Sequence, residues 1–353
     1  MPHKVTLVPS GHSFEVGDDD VILDVALACG FRMPHGCRAG TCKSCRAKVV
    51  SGTVDVGRIF PAPRFVLRQR QSDGHALMCR ASANSDLVIE VDEQAHVPEA
   101  RQLDATVESI EFASGDVAIL RVRIPTEDAV SFVAGQYIDL LLADGVRRSY
   151  SMANPPAAAG DEVLQFHIRH LPGGLFTERL FAGDLDAGAP LKIEAPLGSF
   201  YLREARTPVL MLASGTGYAP IRSILLDHLP RQQEREVVLY WGGRTLPDLY
   251  ALDEVAALQS QYPNFRFVPV LSEAADDWSG RRGFVHRAVM EDLPDLSSWQ
   301  VYACGTPLMV EAARRDFSAA CGLPPEHFFS DSFVTAADAA REQLASTELA
   351  TQE

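Results

Sequence analysis

The sequence predicts a multidomain chain with three folds in series: a small mixed β domain over residues 1–95, an antiparallel β-barrel over 101–205 and a doubly wound α/β domain over 206–335. Three observations predict it. The first stretch combines a hairpin pattern, a short helix and a loop crowded with cysteines. The second is a run of β-patterned segments separated by turn residues. The third alternates apolar strand patterns with helical ones, beginning with the unbroken apolar run Pro208-Val209-Leu210-Met211-Leu212-Ala213 expected of a buried parallel strand. At 353 residues the chain can bury two or three cores. Residues 336–353, rich in Ala, Glu, Gln and Thr, read as a helical tail or a disordered end.

Composition excludes several classes. Hydrophobic content of 46% and charged content of 22% are those of an ordinary soluble protein. No apolar run approaches the roughly 20 residues needed to span a bilayer. The N-terminus enters an alternating pattern without a signal-peptide core, so a cytoplasmic protein is expected. Net charge is −15, and residues 1–95 balance 11 Lys/Arg against 11 Asp/Glu, so the acidic excess lies entirely beyond them. Nucleic-acid binding, which depends on neutralising phosphates, is a poor fit to that charge.

Within residues 1–95, Lys4–Val8 and Ser13–Val16 form a hairpin around Pro9-Ser10-Gly11-His12. Residues 21–30 then read as a short helix with Asp20 as N-cap, Gly30 as its stop and Cys29 as a core residue. The decisive stretch is His35-Gly36-Cys37-Arg38-Ala39-Gly40-Thr41-Cys42-Lys43-Ser44-Cys45, answered by the distant Cys79. Thiols spaced C-x4-C-x2-C with a remote fourth give the ligand pattern of a plant-type [2Fe–2S] cluster. Ferric ions take soft anionic sulfur. One tight loop must also aim backbone N–H groups at those sulfurs, and Gly36 and Gly40 permit the close approach. A structural zinc site more often shows two C-x2-C arms, whereas here Cys42 and Cys45 form the only pair. Disulfides suit small secreted domains. Cys29, Cys304 and Cys321 are left as free thiols. Arg46–Val50 and Leu87–Val91 complete the domain as strands. This order of hairpin, helix and cluster loop resembles the β-grasp ferredoxin domain, with Cys37, Cys42, Cys45 and Cys79 in its four ligand positions.

Arg58, Arg64, Arg68 and Arg70 lie between the third and fourth cluster cysteines with no acid among them. They read either as a solvated loop or as a docking patch for an acidic redox partner. Glu93–Ala100 is polar, aperiodic and broken by Pro98, and reads as a linker.

Leu103–Phe112, Val117–Ile124 and Gln136–Leu142 are the expected barrel strands. Arg147-Arg148-Ser149-Tyr150-Ser151-Met152-Ala153-Asn154 follows, and its Arg148, Tyr150 and Ser151 match the R-x-Y-S motif of the ferredoxin–NADP reductase superfamily. The residue types suit a flavin: a guanidinium forks onto pyrophosphate, a ring packs flat on the isoalloxazine and a hydroxyl reaches N5. His167–Thr177 then runs as a strand carrying Arg169, a double glycine at Gly173 and Gly174, and a helix starting near Thr177, whose bare N–H groups make an anion site. The superfamily uses this G-G-x-x-[ST] segment for the flavin pyrophosphate. Glu194–Phe200 resembles its last barrel strand. The resemblance implies FAD; FMN occurs in relatives that carry the ferredoxin domain at the other end.

After the apolar run, Ser214-Gly215-Thr216-Gly217-Tyr218-Ala219-Pro220 is a glycine-rich strand-to-helix turn of the kind that cradles nucleotide phosphates. As G-T-G-x-A-P it resembles the superfamily's nicotinamide loop. Val237–Arg244 is the next strand and its loop, followed by a helix over Asp248–Gln259, the strand Phe265–Leu271, a helix over Phe284–Glu291 and the strand Trp299–Ala303. Cys304-Gly305-Thr306-Pro307-Leu308-Met309 matches C-G-x-P-x-M, whose cysteine sits beside the nicotinamide C4 in relatives. Asp331 and Phe333 match an acid-x-aromatic terminus that handles a proton and covers the flavin. Arg244 is the one basic group placed for a 2′-phosphate and Asp248 would repel one, so NADH is expected over NADPH.

The resemblance covers nearly the whole chain and implies a reductase component that passes electrons from NADH through FAD and the [2Fe–2S] cluster to a terminal oxygenase. Ser151, Cys304 and Asp331 are the candidates for holding and tuning hydride-transfer geometry. Two alternatives stand beside it. The wording around Ser149–Asn154, Gly173–Thr177 and Trp241–Arg244 resembles glucoseen reductases, which imply a deoxysugar dehydratase as partner. An iron–sulfur sensing module without turnover is the other.

Overall fold

The computed structural model describes residues 2–56, 74–94, 97–156 and 162–335. Their contacts divide the protein into two units. One holds the chain to Glu99 with the residues from Ser332, and the other holds Ala100–Asp331. Arg58, Arg64, Arg68, Arg70 and the tail from residue 336 lie outside the described residues.

In the first unit β1 (His3–Val8) pairs antiparallel with β2 (Ser13–Val16), and the hairpin is as expected. On its other side β1 runs parallel to β7 (Leu87–Glu90), which pairs antiparallel with β3 (Arg46–Ser51). Alternation places Val5, Leu7, Leu87 and Ile89 on one face, where they pack against Ile22, Leu23 and Ala26 of helix α1 (Ile22–Ala28). The short strands β4 (Val54–Val56), β5 (His75–Leu77) and β6 (Ala81–Ala83) carry too few residues for a visible period. Two expectations are corrected here. Val21, not Asp20, is the N-cap, because the Asp20 carboxylate turns back to accept the Gly17 N–H at 3.0 Å. Cys29 is exposed at the helix end instead of lying in the core, since the chain turns at Gly30 with φ +83°.

The second unit begins with a sheet ordered β11-β10-β13-β8-β9-β12, comprising β8 (Arg101–Phe112), β9 (Val117–Arg123), β10 (Tyr137–Leu141), β11 (Arg147–Ser151), β12 (Val163–Arg169) and β13 (Pro190–Leu197). A bridge between Met152 and Phe166 joins the two edge strands and closes the barrel. Helix α2 (Leu175–Ala182) buries Phe176 and Leu180 in the same core as Leu120, Phe166 and Ile193. It starts two residues before Thr177, with Gly174 as N-cap.

A sheet ordered β17-β16-β15-β14-β18-β19 follows. Its strands are β14 (Val209–Ser214), β15 (Val237–Gly243), β16 (Phe265–Leu271), β17 (Arg281–Arg282), β18 (Gln300–Gly305) and β19 (Phe328–Ser332). β14 through β18 are parallel, flanked by α3 (Tyr218–His228), α4 (Leu252–Gln261), α5 (Val285–Asp292) and α6 (Pro307–Ala320). Val209–Ala213 have no exposed surface, which explains an apolar run without alternation. Connectivity reverses at β14, with β15 on one side and β18 on the other, so the crevice at their C-terminal ends is a topological switch point. Asp248 lies in a 3-10 turn, Leu246–Asp248, and not in the α-helix expected to begin there. It closes a capping box with Thr245 in a short turn, and the helix starts at Leu252.

The segment between barrel and parallel sheet is stapled. The buried Arg235 guanidinium donates to the carbonyls of Thr207 and Arg203 and to Gln300 Oε1, while the Arg203 N–H donates to the Tyr302 hydroxyl. These bonds are one physical reason why the two layers form a single unit.

Candidate functional site

In the cysteine loop Arg38, Gly40 and Lys43 have φ of 49°, 83° and 63°. Three left-handed residues in six curl the backbone round its own sulfurs. The N–H groups of Ala39 and Cys42 each lie 3.4 Å from the Cys37 sulfur, and the Thr41 hydroxyl lies 3.2 Å from it. The Cys37 N–H in turn donates to the Cys42 sulfur at 3.4 Å. These donors, the Cys42 thiol first, pull the Cys37 thiol down to about 5 against the upward push of burial. Cys45 and Cys79, 34 residues apart, place their sulfurs 3.1 Å from each other, and that contact together with burial pushes the Cys79 thiol up.

The thiols therefore stand as two pairs, Cys37 with Cys42 and Cys45 with Cys79. Among the described residues no group of three or more His, Cys, Asp or Glu side chains gathers round one point. Two pairs suit two irons with two thiolates each, and the N–H donors suit sulfur that carries negative charge. Arg80 helps hold the loop by donating to the Ala39 carbonyl at 3.0 Å.

On the barrel Tyr150 and Ser151 end β11 opposite Ile138 and Tyr137. Tyr150 leans on Phe176 with ring centroids 5.7 Å apart, and burial pushes its phenol well up, so it stays neutral. Arg148 donates to the Arg147 carbonyl, while Arg147 is held by Glu194 at 2.6 Å and Asp139 at 3.4 Å. A Cβ on Gly174 would meet Thr177 Oγ1 at 2.4 Å, and one on Gly173 would meet nothing within 4 Å. That open, bare-backbone turn suits a pyrophosphate. The Thr177 hydroxyl faces inward to the Leu171 carbonyl at 3.0 Å. Glu178 accepts the Gly173 N–H at 2.7 Å, a bond that lowers its carboxyl.

At the switch point the loops after β14 and β18 touch. A Cβ on Gly217 would lie 2.2 Å from the Cys304 carbonyl oxygen, and one on Gly305 would lie 2.1 Å from Ser214 Oγ. Ser214 Oγ also accepts the Thr306 N–H at 3.0 Å. The structure thus brings Gly215, Thr216, Gly217, Cys304 and Gly305 to one place. Cys304 is fully buried, and burial followed by the nearby Asp331 charge raises its thiol well above the ordinary value. It stands as a neutral thiol, with Asp331 buried close by. Phe333 is half-buried beyond β19, in the stretch that contacts place with the first unit.

Arg169 lies elsewhere than its neighbours in sequence suggest. Its guanidinium sits against the Gly215–Gly217 loop, with Cζ 3.6 Å from where a Gly215 Cβ would be. It pairs with Asp248 and Asp116 at 3.3 Å each, and its Nε and Nη2 are buried without partners. Asp248 also accepts the N–H groups of Arg244 and Thr245. Its charge is thereby compensated and bears less on a phosphate than the sequence suggests. Arg244 is mostly exposed, 3.8 Å from Asp248.

Sequence reasoning passed over a cluster that joins the two layers. Tyr218 stacks on Trp241 at 4.3 Å, the Trp241 indole N–H donates to the Gly215 carbonyl, and Tyr250 meets both rings edge-on. The Tyr250 hydroxyl lies 2.9 Å from His167 Nδ1 on β12. The one signal for it was the aromatic pair Tyr240-Trp241 ahead of Gly242; nothing in the sequence singled out Glu254 or His167.

Sulfur donors on one unit and two glycine cradles on the other are the parts of an iron–sulfur flavoprotein reductase. Family models agree in order: a 2Fe-2S iron-sulfur cluster binding domain matches residues 5–84, an oxidoreductase FAD-binding domain 104–201 and an oxidoreductase NAD-binding domain 211–315. The chain is 38% identical to the CDP-6-deoxy-L-threo-D-glycero-4-hexulose-3-dehydrase reductase of Yersinia pseudotuberculosis over 95% of its own length and 99% of that protein. It is 33% identical to reductase component 1 of terephthalate 1,2-dioxygenase from Comamonas sp., over 95% and 98%. Among solved structures the Amycolatopsis cytochrome P450 reductase GcoB superposes with a TM-score of 0.76 at 34% identity, over 95% of this chain and 99% of that one. The chain belongs to the ferredoxin–NAD(P)H reductase superfamily, among the reductases that join a [2Fe–2S] domain to FAD and NAD domains. It is an oxidoreductase that passes electrons from NAD(P)H through FAD and the cluster to a partner enzyme, and the sensing module without turnover is set aside. Among the described residues no helix is long and apolar enough to cross a membrane.

Proposed function

We propose that the protein is the NADH-dependent reductase component of an oxygenase, and that the residues named above divide the work. Cys37, Cys42, Cys45 and Cys79 hold the cluster. Tyr150 and Ser151 face the flavin, with Arg148, Gly173, Gly174 and Thr177 at its pyrophosphate. Gly215, Thr216, Gly217, Cys304 and Gly305 hold the nicotinamide, and the two unpaired N–H groups of Arg169 take the dinucleotide phosphates. Asp331 handles the proton. Arg244 lies at the ribose. Bound FAD would supply the chemistry that takes two electrons together from NADH and passes them on one at a time. This chain's own residues would bind the nicotinamide and the flavin close together and shield them from water. The observation that carries the reading is the meeting of the Gly217 and Cys304 loops at the switch point.

A dehydrase partner is the second reading, favoured by the 38% identity to the Yersinia reductase against 33% to the dioxygenase component. In either case we assign docking to Arg58, Arg64, Arg68 and Arg70, whose acid-free run suits an acidic partner face. Cys29, Cys304 and Cys321, left over from the cluster as free thiols, fit a cytoplasmic setting.

The test is an anaerobic titration. NADH should bleach both the flavin and the cluster bands of the wild type and only the flavin band of Cys79→Ser. NADPH should react at least about tenfold less well, a difference of about 1.4 kcal/mol. A wild-type spectrum that NADH leaves unchanged would overturn the reading. Partner reduction by a variant with all four arginines changed to Glu should be slower, with a rate that rises with salt where that of the wild type falls.

A further inference from the structure

Ser151 and the Gly215–Gly217 loop stand on different layers, so the spacing between them depends on whatever fixes one layer against the other. Helix α3 starts immediately after the loop, and its Arg222 crosses the gap. Arg222 Nη1 donates to the Ala153 carbonyl at 2.8 Å, two residues past Ser151, and the adjacent Ser223 hydroxyl donates to the Asn154 carbonyl at 2.6 Å. The remaining nitrogens of Arg222, Nε and Nη2, hold the two Glu254 oxygens at 2.7 and 2.9 Å. This fork on a carboxylate leaves the guanidinium little freedom.

Glu254 is fixed in its turn, since its Oε1 accepts the Tyr218 hydroxyl at 2.9 Å. Tyr218 stacks on Trp241, and Trp241 donates to the Gly215 carbonyl at 3.0 Å. On the barrel side Asn154 is tied to β12 through the Val163 carbonyl and the Gln165 N–H. An unbroken run of directional contacts therefore links the backbone just after Ser151 to the backbone of the nicotinamide loop. Arg222 is 14% exposed, which strengthens those bonds relative to a surface pair.

We propose that Arg222, locked by Glu254, is a positioning residue that sets the distance between the Ser151 strand and the nicotinamide loop, and through it the hydride-transfer distance. The proposal rests on the assignment of flavin to Ser151 and nicotinamide to Gly215–Gly217. Arg222 lies outside both the Ser151 strand and the Gly215–Gly217 turn. A pair that served only stability would change unfolding and leave the limiting rate alone.

The experiment compares FAD-loaded Arg222→Met, Arg222→Lys and Glu254→Gln with wild type. It measures the limiting rate of anaerobic flavin reduction, the NADH dissociation constant and the long-wavelength charge-transfer absorbance of the NADH–flavin complex. Arg222→Met should lower the limiting rate about 10- to 100-fold and weaken the absorbance, with NADH affinity within about twofold, because a misplacement near 1 Å costs that much. Glu254→Gln should change both in the same direction by less. Arg222→Lys, reaching one partner instead of two, should recover part of the rate. An unchanged rate and absorbance in Arg222→Met, or in the milder Glu254→Gln should Arg222→Met not fold, would overturn the proposal. So would an effect confined to NADH affinity. Ser151→Ala separates the two levels: if it is slow while Arg222→Met is normal, only the positioning role is lost, and if its rate is normal the underlying assignment falls as well.

Discussion

Two buried side chains illustrate how the interior of the second unit retunes chemistry. Burial takes the His167 imidazole down to about 3 from its usual 6.5, with the Arg222 and Arg121 charges adding to the effect, and its Nδ1 lies against the Tyr250 hydroxyl. The folded form resists a proton that the unfolded chain accepts. His167 therefore costs nothing above about pH 6.5, and stability falls progressively as pH drops from there toward 3. His167→Gln should flatten this part of the stability–pH curve, seen as a smaller drop in melting temperature between pH 7 and pH 5. A parallel, undiminished drop would show that other groups control it. Cys304 carries the opposite shift, a thiol held neutral by burial and by Asp331. Cys304→Ser should slow flavin reduction by about tenfold, or about 1.4 kcal/mol, while leaving electron flow from reduced flavin to cluster intact. The wild-type rate should show no thiolate limb between about pH 6 and 9. Such a limb in wild type that vanishes in the variant would contradict the neutral thiol.

At the scale of elements, the parallel sheet works through the contact between the loops that follow β14 and β18. Gly217 has an ordinary helical backbone, with φ −59°, so its lack of a side chain answers to space and not to conformation. Gly217→Ala would drive a methyl group to 2.2 Å from the Cys304 carbonyl and part the loops. The expected outcome is NADH binding weakened about tenfold or more, with flavin and cluster spectra unchanged, as read by titration. Normal NADH affinity would remove that contact from the site. Motif geometry of this kind is legible in sequence because it is local: G-T-G-x-A-P, R-x-Y-S and C-x4-C-x2-C each lie within nine residues. The cap at Asp20 and the helix start at Asp248 were misread for the complementary reason. Asp20 and Asp248 both sit before apolar stretches, yet each carboxylate turned to N–H groups three or four residues behind it once the loop had closed.

Taken whole, the molecule keeps its paired thiols on one unit and its glycine-rich turns on the other, each with its own core. Cluster loss should therefore act locally. Removing iron from the full chain should lower the melting of the first unit by several degrees or more, since metal ligation contributes directly to folding, and leave the temperature of flavin release nearly unchanged. A single transition shifting together with flavin release would refute separate cores.

The sequence by itself determined the order of the three folds and the cofactors, because strand periodicity, glycine turns and the C-x4-C-x2-C spacing are short-range features that survive without a tertiary context. Only the tertiary structure decided that Arg169 faces Gly215, that Arg222 reaches Ala153 while gripping Glu254, and that barrel and parallel sheet act as one unit. Those partners lie 32 to 79 residues apart in pairs such as Arg222–Glu254 and Arg169–Asp248. A guanidinium can satisfy its donors on any carboxylate or carbonyl the fold presents, and only packing selects which.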